Sequence, residues 1–229
     1  MRQFSPPHLA ALAVLLVAAG GSVLAGRRFS RGGEAEWARW FSRVLAGIIF
    51  AAWAGEYLAD VIEGTWSIQF TLPLQLTDVV SLTAIYALLT RRPWAVELVY
   101  YWAFTATLQA VITPDLAYDF PSVFYFTYFG YHVGAIVAAV WLVWGLGVEL
   151  RPGAMWRTFA ATLGWTCVAG VADVITGGNY MYLAWKPAHN SLLSAMGPWP
   201  WYIASGVLVG LVLLAIVHWV TVGLRRLAG

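Results

Sequence analysis

The chain has 229 residues and a formal net charge of +2; 61% of the residues are hydrophobic, only 10% are charged, and the mean hydropathy is +0.71. A soluble domain carries about 25% charged residues, so this composition excludes a water-exposed globule and predicts an all-α, polytopic transmembrane helix bundle. The arginines gather near helix ends rather than in a nucleic-acid-binding patch, and the single cysteine, Cys167, excludes an internal disulfide and a cysteine metal cluster.

In lipid, a run of about 20 apolar residues satisfies its own backbone as a helix. Seven such runs follow one another, at 8–25, 40–62, 73–90, 94–113, 123–147, 156–176 and 200–223. The first has the length of a secretory signal and ends in "VLAG". Only Arg2 precedes it, however, and five arginines through Arg43 follow it. That bias reads as an uncleaved helix with its start outside.

The loops set the orientation. Arg27, Arg28, Arg31 and Arg39 separate spans one and two, Arg91 and Arg92 separate three and four, Arg151 and Arg157 flank the loop between five and six, and Arg225 and Arg226 follow span seven. The alternate loops 63–72 and 114–122 contain no Lys or Arg, and 177–199 contains only Lys186. Arginine-rich loops face the cytoplasm, so the expected topology is amino terminus outside, carboxyl terminus cytoplasmic, in the cell membrane.

Ionisable and amide side chains inside spans are costly, and each is a functional candidate. Glu56 and Asp60 share a face at i, i+4 in span two, and Gln75, Thr77 and Asp78 open span three. Glu97 opens span four, Thr105 and Gln109 lie further along it, His132 lies in span five, and Asp173 closes span six with Asn179 just beyond. The topology puts Glu56, Asp60, Gln75, Thr77, Asp78, Gln109, His132 and Asp173 in the outer half, with Glu97 the exception near the cytoplasmic side, which predicts one site at one depth. The bland alternative is interhelical glue, worth about 0.6 kcal/mol per hydrogen bond. It suits Gln75, Gln109 and Thr105 better than the acids. His8 and His218 fall near span ends, His189 falls in a loop, and the 14 tryptophans read mostly as interfacial belts. No H-x-x-x-H pair, cysteine pair or phosphate loop occurs, so neither metal nor other cofactor is expected.

Five blocks carry a resemblance: "LPLQLTD", "LLTRRPWAVELVYYWAFTATLQAVITPDL", "FPSVFYFTYFGYHVG", "RPGAMWRTF" and "GGNYMYLAWKP…SLLSAMGPWPWY". Together, in this order, they resemble the YwaF-like bacterial integral membrane family, over roughly residues 37–205. The resemblance implies one membrane domain with a core at 37–224 and an accessory first span at 8–25. That family is similar to the eukaryotic transmembrane protein 164 family, which transfers acyl groups onto lyso-ether phospholipids through a Cys and a His. More distantly it is similar to androgen-induced membrane hydrolases, which cleave fatty-acid esters with a Thr and a His. Relatives read "LPLxLCD" where this chain has Thr77, and the histidine block matches at His132, so the resemblance implies a Thr77/His132 pair.

The chemistry of such a pair stands on its own. A hydroxyl is a weak nucleophile that needs an adjacent base, and neutral imidazole serves as one near pH 7. Asp78 or Asp173 could orient the ring, and Gln75, Gln109 or Asn179 could donate to an oxyanion. The expected function is a membrane-embedded lipid-acyl hydrolase or acyltransferase, with catalytic Thr77, His132 and Asp78, with Gln75, Gln109, Asp173 and Asn179 binding or orienting, and with membrane lipids as partners. The competing expectation is a multi-span transporter or channel using Glu56, Asp60, Asp78 and Asp173 as a cation path. A seven-span receptor or scaffold is a weaker third. Oligomeric state is not encoded in any feature of the sequence.

Overall fold

The computed structural model describes residues 1–31, 35–187 and 191–228; His189 lies outside them. The described residues form helices and no strand: α1 (Pro6–Arg31), α2 (Ala35–Glu63), α3 (Leu76–Thr90), α4 (Pro93–Trp102), α5 (Leu108–Ile112), α6 (Val123–Val140), α7 (Ala154–Thr176) and α8 (Trp201–Ala228). A π-helical turn, Ala103–Thr107, joins α4 to α5 in one continuous span, and another, Trp141–Gly145, prolongs α6. Six stretches are long and apolar enough to cross a membrane. The third expected span, α3, is apolar but has only 15 residues.

Local sequence explains the shortening. Gln75 keeps an extended backbone (φ −64°, ψ 145°) as the N-cap. Asp78, three residues on, reaches back with Oδ2 to accept the Gln75 N–H at 3.1 Å, half of a capping box. The other end is equally sharp: Arg91 adopts a left-handed conformation (φ 53°) and closes onto Ala87 O, and Pro93 opens α4.

The bundle is built around α6, which is buried around nearly its whole circumference, as expected of a helix apolar on every side. Its "GYHVG" segment lets α2 come close. A Cβ at Gly130 would lie 2.8 Å from Ala52 Cβ, and one at Gly134 would lie 2.6 Å from Ile49 Cγ1. Small residues four apart permit such packing where lipid supplies no hydrophobic drive between helices. α7 and α8 bury little of their surface.

α1 is bound into the bundle. The Met1 amino group donates to Leu116 O, Tyr125 Oη donates to Pro7 O at 2.7 Å, and His8 Nε2 donates to Val111 O at 2.8 Å. His8 is fully buried, and its Nδ1 accepts from Phe4 N at 2.8 Å, which makes it a structural histidine. His218, partly buried, meets Tyr101 Oη at 2.9 Å.

The hydrogen bonds sort the loops between two ends. Met1, the 113–122 loop, the 64–75 segment and the 177–185 segment tie together at one end. At the other, Arg151 and Arg157 clamp Glu97, and Arg225 donates to Val148 O at 3.0 Å. Glu97 is 1% exposed, and both its oxygens are held by guanidinium groups. It is a strut between α4 and the start of α7.

Candidate active site

At the end shared with Met1, a cavity of about 100 Å³ is lined by Glu56, Tyr57, Asp60, Phe70, Thr71, Gln75, Thr77, Asp78 and Tyr131. Each gets there for a local reason. Glu56 and Asp60 stand one turn apart on α2. Gln75, Thr77 and Asp78 occupy the first turn of α3. Phe70 and Thr71 belong to the segment between those helices, and Tyr131 comes from the central α6. Three carboxylates line this space, and no Lys or Arg does so among the described residues.

The carboxylates differ in what holds them. Asp78 Oδ1 accepts from Tyr57 Oη at 2.9 Å and from Trp53 Nε1 at 3.1 Å, while Oδ2 takes the Gln75 N–H. Both oxygens of this 6%-exposed residue are thereby engaged by neutral donors. Asp60 Oδ1 accepts from Thr65 Oγ1 at 2.7 Å at the last turn of α2. Glu56 is different: its Oε2 is buried without a hydrogen-bond partner. A buried polar atom in that state has capacity for a partner that the protein itself does not supply.

His132 stands one side chain back from the cavity. Its ring lies between Tyr128 and Tyr131, with centroids 4.1 and 4.3 Å away, and Tyr131 is itself a cavity wall. Nδ1 is 2.7 Å from Tyr128 O. A carbonyl only accepts, so Nδ1 carries the proton, and in the neutral ring the lone pair is on Nε2. The Tyr128 carbonyl, four residues back on the same helix, thus does for this imidazole what a carboxylate does in a triad. Asp78, with its oxygens on Tyr57, Trp53 and Gln75, is not the group that orients it.

The expected convergence of polar residues is therefore split. Gln75, Thr77 and Asp78 share the cavity; Gln109, Asp173 and Asn179 are not among its walls. Asp173 Oδ1 accepts from Tyr180 N at 2.6 Å, Asn179 Oδ1 accepts from Ala184 N and Trp185 N at 2.9 and 3.0 Å, and Gln75 Oε1 accepts from Met181 N at 2.8 Å. These side chains knot the segment after α7 onto the start of α3. The knot holds Met181 and Tyr182 in left-handed backbone at φ 54° and 57°, a strained arrangement for bulky residues that persists only where surroundings over-determine it. Tyr182 Oη donates to Asp115 Oδ2 at 2.8 Å, and burial together with that carboxylate raises the phenol's pKa above its usual value. Gln109 engages Thr113 through its backbone carbonyl.

Sequence reasoning missed Tyr57, Tyr131, Phe70 and Thr71 as cavity walls. Aromatic residues are common throughout these spans and read as belts. The one available signal was adjacency, Tyr57 next to Glu56 and Tyr131 next to His132.

No curated protein and no solved structure matches this chain. One family's sequence model does match, over residues 3–218. That stretch takes in the first helix, which the block resemblance had left outside, and agrees with the way α1 is bonded into the bundle. With nearly the whole length matched and the helices of a multi-pass membrane protein, the chain belongs to the TMEM164 family.

Proposed function

We propose that the protein is a membrane-embedded lipid-acyl enzyme, a hydrolase or acyltransferase acting on the fatty-acyl ester of a membrane lipid. Thr77 is its nucleophile and His132 its base. The observation that carries the reading is the position of Thr77: a hydroxyl on the first turn of α3, in the wall of a polar cavity inside an otherwise apolar bundle. The tautomer of His132 supports it, since a lone pair on Nε2 is what a general base requires. α3 and α6 pack against each other, so nucleophile and base ride on neighbouring helices, and catalytic hydrogen bonds commonly tighten only when substrate is bound. The resemblance to transmembrane protein 164 relatives, with Cys where this chain has Thr77, supports acyl chemistry at that position. Tyr131 brings a hydroxyl to the cavity wall, while the Tyr57 hydroxyl is committed to Asp78 Oδ1.

The test is purified protein in detergent with a panel of phospholipids and fatty-acid esters, read by mass spectrometry. Thr77→Ala and His132→Ala should each abolish fatty-acid release, and the double variant should be no worse than either, because members of such a unit are not additive. Thr77→Cys should keep an acyl-enzyme, since a thiolate is the stronger nucleophile. Unchanged release by a folded Thr77→Ala protein removes the reading. It then favours the second one, a cation path, which the three carboxylates in one cavity support. Against that path, the acid nearest the opposite end, Glu97, is occupied by two arginines.

A further inference from the structure

Resting on that reading, we infer that Glu56 is a second base, which activates the group that removes the acyl chain from Thr77. An enzyme that parks an acyl group on a hydroxyl needs a proton acceptor twice, first for its own hydroxyl and then for the incoming water or alcohol. The two needs differ in place. The acyl-Thr77 ester lies in the cavity, and the attacking oxygen must come to its carbonyl carbon from within that space. The base for the second step therefore has to be a cavity wall.

His132 is not a wall; its ring packs on Tyr131, which is one. Of the walls, only Glu56, Asp60 and Asp78 carry a carboxyl group. Asp78 has both oxygens committed to Tyr57, Trp53 and the Gln75 N–H. Asp60 is held by Thr65 at the last turn of α2. Among the carboxylate oxygens of the cavity, Glu56 Oε2 alone is both buried and unpartnered. Removal from water strengthens its pull on a proton donor that arrives.

The steps balance. In the first, the Thr77 proton passes to His132 Nε2 as Oγ1 bonds to the acyl carbon. The ester C–O bond breaks, and the departing alcohol oxygen takes its proton from the Glu56 carboxyl group, a cavity wall, which becomes a carboxylate; a leaving group that departs as a stable anion, such as nitrophenolate, does without this proton. In the second, the incoming water or alcohol gives its proton to the Glu56 carboxylate as its oxygen bonds to the acyl carbon. The bond from that carbon to Thr77 Oγ1 breaks, and Oγ1 regains its proton from the His132 imidazolium, so both groups return to their starting state. No oxidant, metal or further reactant is required.

The experiment is stopped-flow release of nitrophenolate from p-nitrophenyl decanoate by the full chain in detergent micelles, with intact-protein mass spectrometry in parallel. Glu56→Gln should keep the burst of one nitrophenolate per protein at a rate within a few-fold of the parent. Its steady-state rate should fall by about 100-fold or more, the usual contribution of a general base, and the decanoyl adduct should accumulate on Thr77. Glu56→Asp should recover part of the steady rate, and it serves as the test if the Gln variant does not fold. Steady turnover within threefold of the parent in Glu56→Gln, or in Glu56→Asp where the Gln variant does not fold, overturns the inference. So does equal loss of burst and steady phases in folded protein. The underlying reading fails differently: Thr77→Ala would then release nitrophenolate normally, and the parent would carry no adduct, which removes the role of Glu56 with it.

Discussion

Arg151 grips Glu97 with three donors: Nε at 2.7 Å and the backbone N at 3.2 Å on Oε1, and Nη2 at 3.1 Å on Oε2. Arg157 Nε adds a fourth at 3.0 Å on Oε2. The carboxylate is buried while both arginines are about half exposed, so solvent screens the cations but not the anion. Glu97→Gln keeps the shape and removes the charge. It should lower the apparent melting temperature by on the order of 5 °C, with Arg157→Gln costing less because Arg151 still holds both oxygens. Activity per folded molecule should stay unchanged. Thermal unfolding in detergent beside an activity assay checks both halves, and a lost activity at full stability would put Glu97 in the chemistry after all.

At Gly134, α6 leaves no room for a side chain against α2. A methyl group there would lie 2.6 Å from Ile49 Cγ1, and overpacking of this kind costs about 1–3 kcal/mol. Gly134→Ala should be destabilised by that amount. Ile49→Ala, itself destabilising, should partly rescue it, so the double variant is more stable than the sum of the singles predicts. Additive losses would show that the two helices separate freely at this level.

The two ends of the bundle carry opposite electrostatic character, and the arginine-rich one should be cytoplasmic. An accessible tag before Met1 should label from outside intact cells, and a reporter fused after Arg226 should be active only inside. Labelling of both ends from one side would contradict the alternation of the helices between the two loop clusters.

The spans were legible because hydropathy over about 20 residues is a bulk property that composition alone reveals. The exact start of α3 was not. Leu74 carries the apolar run back past the helix start, yet Pro73 and the Gln75–Asp78 cap exclude residues 73–75 from the helix. Within the site, Thr77 and Asp78 were legible because polar groups stand out in an apolar run, and Glu56 with Asp60 because i, i+4 spacing makes one face. The partition of roles was hidden. Asp173 and Asn179 look like site residues by type, but the irregular chain after α7 turns their oxygens to backbone N–H groups. The bond from His132 to Tyr128 O follows helical spacing, but nothing in the sequence says whether a histidine will use it.

α3 has 15 residues, a helix about 22 Å long at 1.5 Å per residue, some 8 Å short of a hydrocarbon slab of roughly 30 Å. The segment before it, 64–75, must make up the difference as irregular backbone at membrane depth, which lipid tolerates only where protein supplies the missing hydrogen bonds. Tyr180 Oη does so by donating to Ile68 O at 2.7 Å and accepting from Leu72 N at 3.0 Å, and Trp165 Nε1 does so by donating to Leu74 O at 3.0 Å. Protein groups thus do for this segment what water does for an exposed loop. Thr77, the second residue of α3, stands at the seam between irregular and helical backbone, and on the reading proposed above a lipid ester would reach it there by sliding sideways within its leaflet, its acyl tails never leaving oil.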